Sequence, residues 1–414
     1  MTQTAARIPP APRGRDLLAW IGPGIIWMVS AIATGELLFT PRVASLYGYA
    51  LLWAMIAAIV LKTLLSIEIG RYAVTTGGSI LHGMRQIPGP ANWGVWLLVL
   101  PQFFVAVTTM VGMAGATSSA FILFFPGDFR LWGIVFLALS TVLVYAGRYR
   151  AVELASIIMA LTITAALVVA ASIEFPGVAP LLAGIVPALP QEIDYTEILP
   201  WLGFLMSGAA GLIWYSYWLP ARGYGAAHSL GAGDGSIEEF EPVDPAVFDA
   251  GEQERLRKWI RVMAITTGIA ASIVLVQLFA LLILGAELLR PEGLLPEGPA
   301  VTAVLSRLLG EVWGPAGAWM LIVAALFAFW STMIANLDGW VRMLGQGSIF
   351  IARRFVSSGR LVSMGFYRPV YLFGLMGVLP AVFLIVRPEP VTFLIVAGSS
   401  RRSRSRSWRL QPCT

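Results

Sequence analysis

Long apolar segments dominate this chain and constrain its fold more than any other feature. Hydrophobic residues make up 57% of the 414 positions and charged residues only 12%, which is about half the charged fraction of soluble domains. A helix needs about 20 residues to cross the hydrocarbon core, and most of the segments reach that length. The sequence therefore predicts an all-α polytopic membrane protein with about ten transmembrane segments, the last of them too short to cross. The segments are 21–46, 49–70, 92–125, 131–147, 151–173, 199–219, 259–288, 317–341, 369–386 and 390–398.

The basic residues predict the orientation of these segments. If the N-terminus lies in the cytoplasm and ten segments alternate, 22 Arg and Lys residues fall inside, five fall outside and Lys62 lies within a span, which accounts for all 28. Cytoplasmic loops of membrane proteins carry an excess of Arg and Lys. We therefore expect an integral protein of a bacterial-type cytoplasmic (inner) membrane with its N-terminus inside. The net charge of +5 then reflects orientation in the lipid bilayer, and we expect no nucleic-acid partner.

Few residues are available for catalysis or for a soft metal site. The chain has one cysteine, Cys413, and two histidines, His82 and His228, which excludes an internal disulfide and metal centres built from cysteine or histidine clusters. The sequence patterns of hydrolase nucleophiles, zinc proteases and nucleotide-binding loops are missing. We therefore predict that the chain is not an enzyme, has no catalytic residues and needs no cofactor.

We expect a single transmembrane domain over residues 17–398, after a cytoplasmic N-terminal segment at 1–16. Inside it, the acidic stretch 221–258 predicts a solvated cytoplasmic loop, and the Pro- and Glu-rich stretch 289–316 predicts an outer loop. The composition then changes abruptly to a basic tail at 399–414. Two interpretations of this tail stay open: a cytoplasmic segment that touches anionic lipid or, as we favour, an aberrant end produced by truncation or frameshift with loss of the tenth helix.

Two glycine-interrupted apolar segments stand at matching places in the chain, near 22–46 and near 203–225. Each begins a set of about five hydrophobic segments, so the second set would lie inverted relative to the first. Paired interruptions of this kind are typical of secondary transporters whose binding site lies near the bilayer midplane. The pattern predicts a five-plus-five inverted repeat, although glycines are also common at ordinary contacts between membrane helices.

The strongest candidate for a binding residue is Glu36, at the end of the sequence Ala33-Thr34-Gly35-Glu36. A carboxylate at bilayer depth is costly unless a pathway or a cation needs it, and the neighbouring glycine weakens a helix. If the helix unwinds at this point, freed backbone carbonyls and the carboxylate would meet at a midplane cavity. Oxygen ligands of that kind suit a hard cation.

A structural role for Glu36 is the alternative, either as a protonated group or paired with Lys62 or Arg42. Lys62 could also extend toward the membrane surface, or replace a coupling cation as a fixed charge. Glu68 and Arg71, at the inner end of the second segment, are expected to form a structural ion pair.

The second interrupted segment offers neutral candidates. Gly211 would open the backbone, Leu212 and Trp214 would face the same cavity as Glu36, and Tyr215 would supply a hydroxyl. Aromatic residues are more often anchors at the membrane interface, so that interpretation of Trp214 stays open.

Segment 317–341 contributes Asn336 and Asp338, which are two residues apart and cannot share a helical face. We expect one of them to face the pathway and the other the cytoplasmic boundary, with Asn336 or Tyr215 tuning selectivity. Asp338 stands four residues before Arg342, which is the spacing of a structural ion pair on a helix.

Three short stretches form a recognisable set: Gly-Pro-Gly at 22–24, Leu-Tyr-Gly-Tyr-Ala-Leu-Leu-Trp at 46–53 and Arg-Tyr-Ala-Val-Thr-Thr-Gly at 71–77. They resemble the first two helices of the natural resistance-associated macrophage protein (Nramp) family of divalent metal transporters, and a weaker likeness covers most of 15–400. The resemblance implies a LeuT-like five-plus-five inverted repeat with broken helices 1 and 6. It also implies alternating-access movement of divalent cations, often together with protons.

The chain departs from that family at the expected metal site. The family's Asp-Pro-Gly-Asn is replaced by Ala33-Thr34-Gly35-Glu36, so only the glycine matches and Glu36 takes the place of the asparagine. The family's Met-Pro-His falls near 212–214, which is Leu-Ile-Trp here and has neither a thioether nor an imidazole. Because soft ligands favour transition metals, this loss points to Mg²⁺ or another hard cation, or to an organic solute.

We therefore expect a secondary active transporter of divalent metal cations, coupled to protons, with Glu36 as the metal ligand. The divalent ion is then the transported substrate and not a cofactor, and the expected partners are the cation, protons and the lipid bilayer. Two alternatives stay open. One is a cation-coupled symporter of a small organic solute on the same fold, and the other is a non-transporting membrane sensor or scaffold.

Overall fold

The computed structural model describes residues 8–20, 24, 32–147, 150–230, 241–356 and 359–386. Every regular element in these ranges is a helix, as the sequence predicts. The helices are α1 (Ile32–Phe39 and Thr40–Tyr47), α2 (Leu52–Thr76), α3 (Ile80–Arg85), α4 (Trp93–Phe121), α5 (Phe129–Ala146), α6 (Arg150–Ile173), α7 (Val178–Ile185), α8 (Tyr195–Phe204), α9 (Ala209–Ala221), α10 (Ala250–Leu284 and Gly285–Leu289), α11 (Val301–Ala352) and α12 (Met364–Pro369, Val370–Val378 and Leu379–Val386).

The described helices are those of an integral membrane protein. Seven segments are long and apolar enough to cross a membrane, and an eighth span results if α6 and α7, which are bent by 112° relative to each other, count as one. The first predicted span is described only in part, because just residue 24 of 21–31 is included, and the predicted segment 390–398 lies outside the described residues.

Small residues determine which helices lie inside the bundle. Every position of α4 from Thr109 to Ala120 is buried, and most of these residues are Gly, Ala, Ser or Thr, which let neighbouring helices approach closely. By contrast, one side of α2 exposes Val60, Leu61 and Leu64, each by more than half of its surface. In a membrane protein such an apolar surface faces lipid. The bundle therefore holds α4 in its interior and α2 at its rim.

The predicted cytoplasmic loop 221–258 is shorter than expected. Helix α10 already begins at Ala250, where Asp249 and Glu252 form a reciprocal capping box. Such a cap satisfies the free backbone groups of the first turn. The charged residues from Glu252 to Lys258 are therefore the solvated start of a membrane helix. Residues 231–240 of this stretch lie outside the described residues.

The predicted outer loop 289–316 is also largely helical. Helix α11 begins at Val301 and bends at Gly314, whose φ of 64° only a residue without a side chain adopts easily. The polar residues before the bend belong to the helix and extend it beyond the apolar stretch. Hydropathy alone cannot distinguish such residues from a loop.

Helices α1 and α10 pack in close contact through Gly285. A Cβ atom at this position would lie 2.8 Å from Cβ of Ala44 and 2.9 Å from the backbone of Pro41. Backbone atoms cannot move aside as the end of a flexible side chain can, so this contact requires glycine. In the same helix, a Cβ atom at Gly268 would meet no atom within 4 Å.

We expect Gly285→Ala to lower the free energy of unfolding by about 1–3 kcal/mol through overpacking. Gly268→Ala is the matched control, and we expect it to leave stability unchanged or slightly raised, since Ala favours a helix over Gly. Thermal unfolding of the two detergent-purified variants, followed by tryptophan fluorescence, compares them. Equal melting temperatures would show that the α1–α10 contact is not tight.

Candidate functional site

The membrane span made of α8 and α9 is interrupted between Phe204 and Ala209. Two non-glycine residues in the interruption, Met206 (φ 51°) and Ser207 (φ 72°), have left-handed backbone conformations. The broken second segment that the sequence predicts is therefore confirmed. Its predicted position is wrong, because Gly211 is part of the regular helix α9 and the interruption lies a few residues earlier. We call residues 205–208 the break.

Backbone groups at the break have lost their helical partners and need others, because unpaired groups inside a membrane are costly. Lys62, on α2, supplies three hydrogen bonds. Its Nζ donates to the carbonyl oxygens of Gly203 at 2.6 Å, Leu205 at 2.5 Å and Ser207 at 3.1 Å. The side chain is therefore directed at the break and does not extend along the membrane toward its surface.

Glu36 contacts the break from α1. Its Oε1 accepts a hydrogen bond of 2.8 Å from the backbone N–H of Met206, and the residue has no exposed surface. Its Oε2 is buried and has no hydrogen-bond partner among the described residues. The stacked rings of Phe39 and Phe204, 5.8 Å apart, hold α1 against the end of α8 beside this contact. The carboxylate thus keeps one oxygen for a further ligand.

The basic partners expected for Glu36 are used elsewhere. Arg42 pairs with Glu197, and the ammonium of Lys62 binds the carbonyls described above. In the part of the chain that the structure describes, Glu36 forms no ion pair. The expectation that Lys62 or Arg42 pairs with it is wrong, because each of them lies nearer to other acceptors.

The expected unwinding of the first helix at Thr34 and Gly35 is also not observed. Residues Ile32–Phe39 form a π-helix that continues directly into Thr40–Tyr47. A π-helical stretch is a rare distortion, found mostly at functional sites. The irregularity is therefore a wider helix and not an extended segment. Only the backbone of Ala33, Thr34 and Gly35 is described, so their predicted contact with a ligand stays a prediction.

A cavity of about 210 Å³ lies on the α4 and α11 side of the break. It is lined by Gln102, Val105, Thr109, Gly203, Phe204, Ser207, Gly208, Ala209, Ala210, Gly211, Trp214, Asn336 and Trp340. The lining is largely apolar and aromatic, with two amide side chains and two hydroxyls. Glu36 is not part of it, so the carboxylate binds the break from outside this cavity.

Three of the predicted site residues line the cavity: Gly211, Trp214 and Asn336. The ring of Trp214 packs edge-on against Trp340 with centroids 4.8 Å apart, so it serves the cavity and not the membrane interface. Leu212 is buried but is not among the lining residues.

Two further expectations concern ordinary helix contacts. The hydroxyl of Tyr215 lies 2.7 Å from that of Thr267 on α10, so Tyr215 joins two helices and does not line the cavity, contrary to expectation. Asp338 accepts a hydrogen bond of 2.8 Å from Arg342. That pair has the structural role expected from its spacing, as has the pair of Glu68 and Arg71.

Sequence reasoning missed Gln102 and Thr109 on α4. Gln102 follows Pro101 inside a long apolar segment, and a polar residue beside a helix-breaking one at bilayer depth is the signal that would have found it.

Sequence reasoning also missed Met206, which brings a thioether to the break. The Sδ of Met206 lies 3.8 Å from the hydroxyl of Thr63 on α2. Among the described residues, no group of three His, Cys, Asp or Glu side chains could hold a metal ion.

Two polar contacts hold the span of the break at its ends. At one end, the buried Arg42 on α1 donates two hydrogen bonds to Glu197 on α8, at 2.7 and 2.8 Å, and a third to the carbonyl of Pro296 at 2.9 Å. We call this the Arg42 contact. It joins α1 and α8 to the segment that precedes α11.

At the other end, Gln346 on α11 accepts hydrogen bonds from Ser79 at 2.5 Å and from Tyr217 on α9 at 2.8 Å. The hydroxyl of Ser216 accepts from the backbone of Ile80 at 3.0 Å. We call this the Gln346 contact. It joins α9 and α11 through the segment that contains α3.

His82 lies within the Gln346 contact, where its Nδ1 is 3.3 Å from the hydroxyl of Ser79. Burial lowers the pKa of His82 from 6.5 to about 4. The charge of Glu241 opposes this shift, whereas those of Arg85 and Arg353 add to it. The ring is therefore neutral at physiological pH.

Comparison with known proteins agrees with this architecture. The model of the family described as "Natural resistance-associated macrophage protein-like" (Nramp) matches residues 24–389. The chain belongs to the Nramp family. The predicted family resemblance is confirmed, and with it the assignment to a transporter family.

Curated relatives within the family are distant. The divalent metal cation transporter MntH of Chromohalobacter salexigens is 27% identical over 195 residues, which cover 46% of this chain and 44% of that protein. The protein of the same name from Yersinia pestis is 26% identical over 185 residues, 44% of each chain. The chain thus matches less than half the length of these relatives.

Solved structures show the fold over most of the chain. A mutant of the manganese transporter of Eremococcus coleocola has a TM-score of 0.59 at 15% identity and covers 96% of this chain and 82% of that one. Mhp1, a nucleobase-cation-symport-1 family transporter in a closed conformation with bromovinylhydantoin bound, has a TM-score of 0.53 at 17% identity, with coverages of 91% and 74%. The predicted LeuT-like fold of this Nramp-family chain is confirmed.

The Arg42 contact predicts that Glu197 contributes much more to the stability of the folded protein than Glu297 does. Glu197→Gln leaves the Arg42 guanidinium buried with a weaker partner, so we expect a loss of about 1–3 kcal/mol in the free energy of unfolding. Glu297 lies 3.5 Å from the same guanidinium but has 64% of its side chain exposed, and we expect Glu297→Gln to change stability by less than about 0.5 kcal/mol. Denaturation of both variants in detergent measures the difference. A similar loss in both would contradict a buried pair specific to Glu197.

The low pKa of His82 predicts how this Nramp-family protein responds to acid. Since the folded protein favours the neutral ring, the unfolded chain binds more protons between pH 6.5 and about 4, and stability falls as the pH drops through that range. On going from about pH 7 to about pH 5, His82 alone should cost about 2 kcal/mol.

Melting temperatures of three proteins test this contribution: the wild type, His82→Gln and His228→Gln. We expect wild type and the His228 variant to lose stability in parallel as the pH falls, and the His82 variant to lose less. Parallel behaviour of all three would show that His82 does not contribute to the pH dependence.

Proposed function

We propose that this Nramp-family protein is a secondary transporter of a hard divalent cation, with Glu36 as the charged ligand. One observation carries the proposal: a fully buried carboxylate is held by one oxygen to the backbone of the break, while its second oxygen has no partner among the described residues. An isolated carboxylate in a membrane protein is costly to keep unless a cation or proton balances its charge. The break and Glu36 thus support the cation site.

The ligands available favour a hard cation over a soft one. Glu36 provides oxygen, and Gln102, Thr109 and Asn336 line the neighbouring cavity with oxygen and nitrogen. The thioether of Met206 faces Thr63, and no cysteine or histidine lines the cavity. Since oxygen ligands suit Mg²⁺ and Mn²⁺ better than softer metals, we place this chain among carriers of such ions. The curated relatives named as divalent metal cation transporters support the same class of substrate.

The cargo would keep part of its water. The carbonyls of the break are bound by Lys62, so they do not replace the hydration shell of a divalent ion. A cavity of about 210 Å³ has room for about seven waters at roughly 30 Å³ each. Mg²⁺ in particular gives up its waters reluctantly and is often bound through a single carboxylate. A partly hydrated ion therefore fits the cavity, and the Glu36 carboxylate would reach it only after the break moves.

Transport requires movement of the break, because Glu36 lies outside the cavity in the present conformation. In the mechanism we propose, α1, α2, α8, α9 and α10 move as one group relative to the other helices, which is how inverted-repeat carriers alternate access. The Arg42 contact and the Gln346 contact would open in turn on opposite sides. The proposal includes a cytoplasmic N-terminus in a bacterial-type inner membrane, and uptake of protons together with the cation.

A symporter of a small organic solute is the second candidate, and the aromatic lining of the cavity favours it. Phe204, Trp214 and Trp340 surround two amides, Gln102 and Asn336, which is a typical composition of pockets for organic ligands. The melting temperature in the presence of a panel of solutes distinguishes the two, because a true ligand stabilises the folded protein by mass action. A shift with Mg²⁺ or Mn²⁺ supports the first candidate, and a shift with organic solutes alone supports the second.

Glu36→Gln should reduce uptake of Mn²⁺ or Mg²⁺ into proteoliposomes by about 10- to 100-fold, since the loss of one charged ligand weakens binding by that factor. Glu68→Gln is the control, because Glu68 forms an exposed ion pair with Arg71 at the end of α2 and surface pairs contribute little. Unchanged uptake by the Glu36 variant over the whole pH range would exclude the assigned role.

A further inference from the structure

Lys62, on α2, is the second charged residue that contacts the break. Lys62 is the eleventh of the 25 residues of this membrane span, which puts it near the middle of the bilayer, where a charged side chain is expensive. Of the 28 basic residues only Lys62 and Lys258 are lysines, and Lys258 lies at the solvated start of α10. A lysine at this depth therefore needs an explanation in the structure.

The ammonium group has three hydrogens, and three carbonyl oxygens accept them at 2.5–3.1 Å. The carbonyl of Gly203 belongs to the last turn of α8 and that of Leu205 directly follows it, at the negative end of the helix dipole. Carbonyls at the ends of interrupted helices are the groups that bind Na⁺ in secondary transporters. Among the described residues Lys62 forms no ion pair with a carboxylate, so these carbonyls are its direct partners.

A single peptide group lies between the two charges. Lys62 binds the carbonyl oxygen of Leu205, and Glu36 binds the N–H of Met206, and both atoms belong to the same peptide unit. The peptide bonds of the described chain are trans, so C=O and N–H point in opposite directions. Lys62 and Glu36 therefore lie on opposite sides of the break, with the peptide dipole aligned between them.

We propose that the Lys62 ammonium is a tethered cation that permanently occupies a monovalent-cation position at the break. It holds the carbonyls of the break in the arrangement that a free Na⁺ would otherwise impose, and so removes any need for Na⁺ at this position. Because Lys62 binds those carbonyls, they are not available to the transported solute, which would bind on the opposite side of the break, at Glu36. Lys62 is thus a positioning residue, and the inference rests on its three contacts and not on the identity of the carried solute.

Three variants of the full chain test this role in detergent: Lys62→Ala, Lys62→Met and, as control, Lys258→Ala. Melting temperatures are measured in choline, sodium and propylammonium chloride at one ionic strength. Lys62→Ala leaves space for a free cation, and propylammonium replaces the three carbons and the nitrogen that are lost. Lys62→Met removes the charge but fills the space.

We expect both Lys62 variants to melt about 4 °C or more below the wild type in choline chloride. Propylammonium or Na⁺ should restore Lys62→Ala but not Lys62→Met, and should leave wild type and Lys258→Ala unchanged. Recovery by a free amine separates this role from a simple structural one, since a packing defect does not respond to a cation. This readout does not depend on transport, so it stands even if the carried solute is not a divalent ion.

Three results would overturn the proposal. The first is an unchanged melting temperature of Lys62→Ala, and the second is a response to cations that is no greater in Lys62→Ala than in Lys258→Ala. The third is stabilisation of the wild type by Na⁺ over choline, which would show that a free-cation position remains. The wild-type measurement needs no variant, so the proposal stays falsifiable if Lys62→Ala does not fold.

Discussion

The break at residues 205–208 leaves backbone groups without helical partners in the middle of a membrane span, and two side chains of opposite charge satisfy them. Glu36 accepts from the N–H of Met206, and Lys62 donates to three carbonyls. Lipid offers no hydrogen bonds, so a break at this depth is stable only where protein supplies them. Each charge in turn needs the break, because neither is ion-paired among the described residues. The interrupted helix and the two charged side chains therefore stabilise one another.

The position of the break could not be read from the sequence, although its existence could. Glycine is the usual sequence signal of an interrupted helix, and Gly211 is the obvious candidate in this segment. The residues that adopt left-handed conformations are Met206 and Ser207, which do so only because distant side chains bind the groups that this conformation frees. Such compensation comes from residues about 140 to 170 positions away, beyond the reach of local patterns.

Burial of Glu36 could likewise be anticipated, whereas its partner could not. A carboxylate in an apolar segment must be buried or neutralised, but which groups the basic side chains bind depends on contacts between residues distant in sequence. Arg42 lies just after the π-helix Ile32–Phe39 that carries Glu36, yet it pairs with Glu197, 155 residues away. Trp214 and Asn336 line the cavity, whereas Tyr215, chosen by the same reasoning, packs against Thr267.

The Arg42 contact and the Gln346 contact attach the two ends of the interrupted span to the rest of the bundle. The first joins α1 to α8 and the second joins α9 to α11, so the two halves of the interrupted span are attached to different neighbours. In the proposed movement of α1, α2, α8, α9 and α10 as one group, these two attachments at opposite ends of the span can open in turn. The arrangement explains why the break, and not a continuous helix, lies between a buried acid and a cavity.

The central claim is that a cation binds Oε2 of Glu36 beside the break, and anomalous diffraction tests it most directly. Crystals of the full chain grown with Mn²⁺ should give a single strong anomalous peak about 2–2.5 Å from Oε2 of Glu36. The carbonyls of Gly203, Leu205 and Ser207 should stay bound to Lys62 in the same map. A peak remote from the carboxylate, or none in crystals saturated with Mn²⁺, would contradict the account.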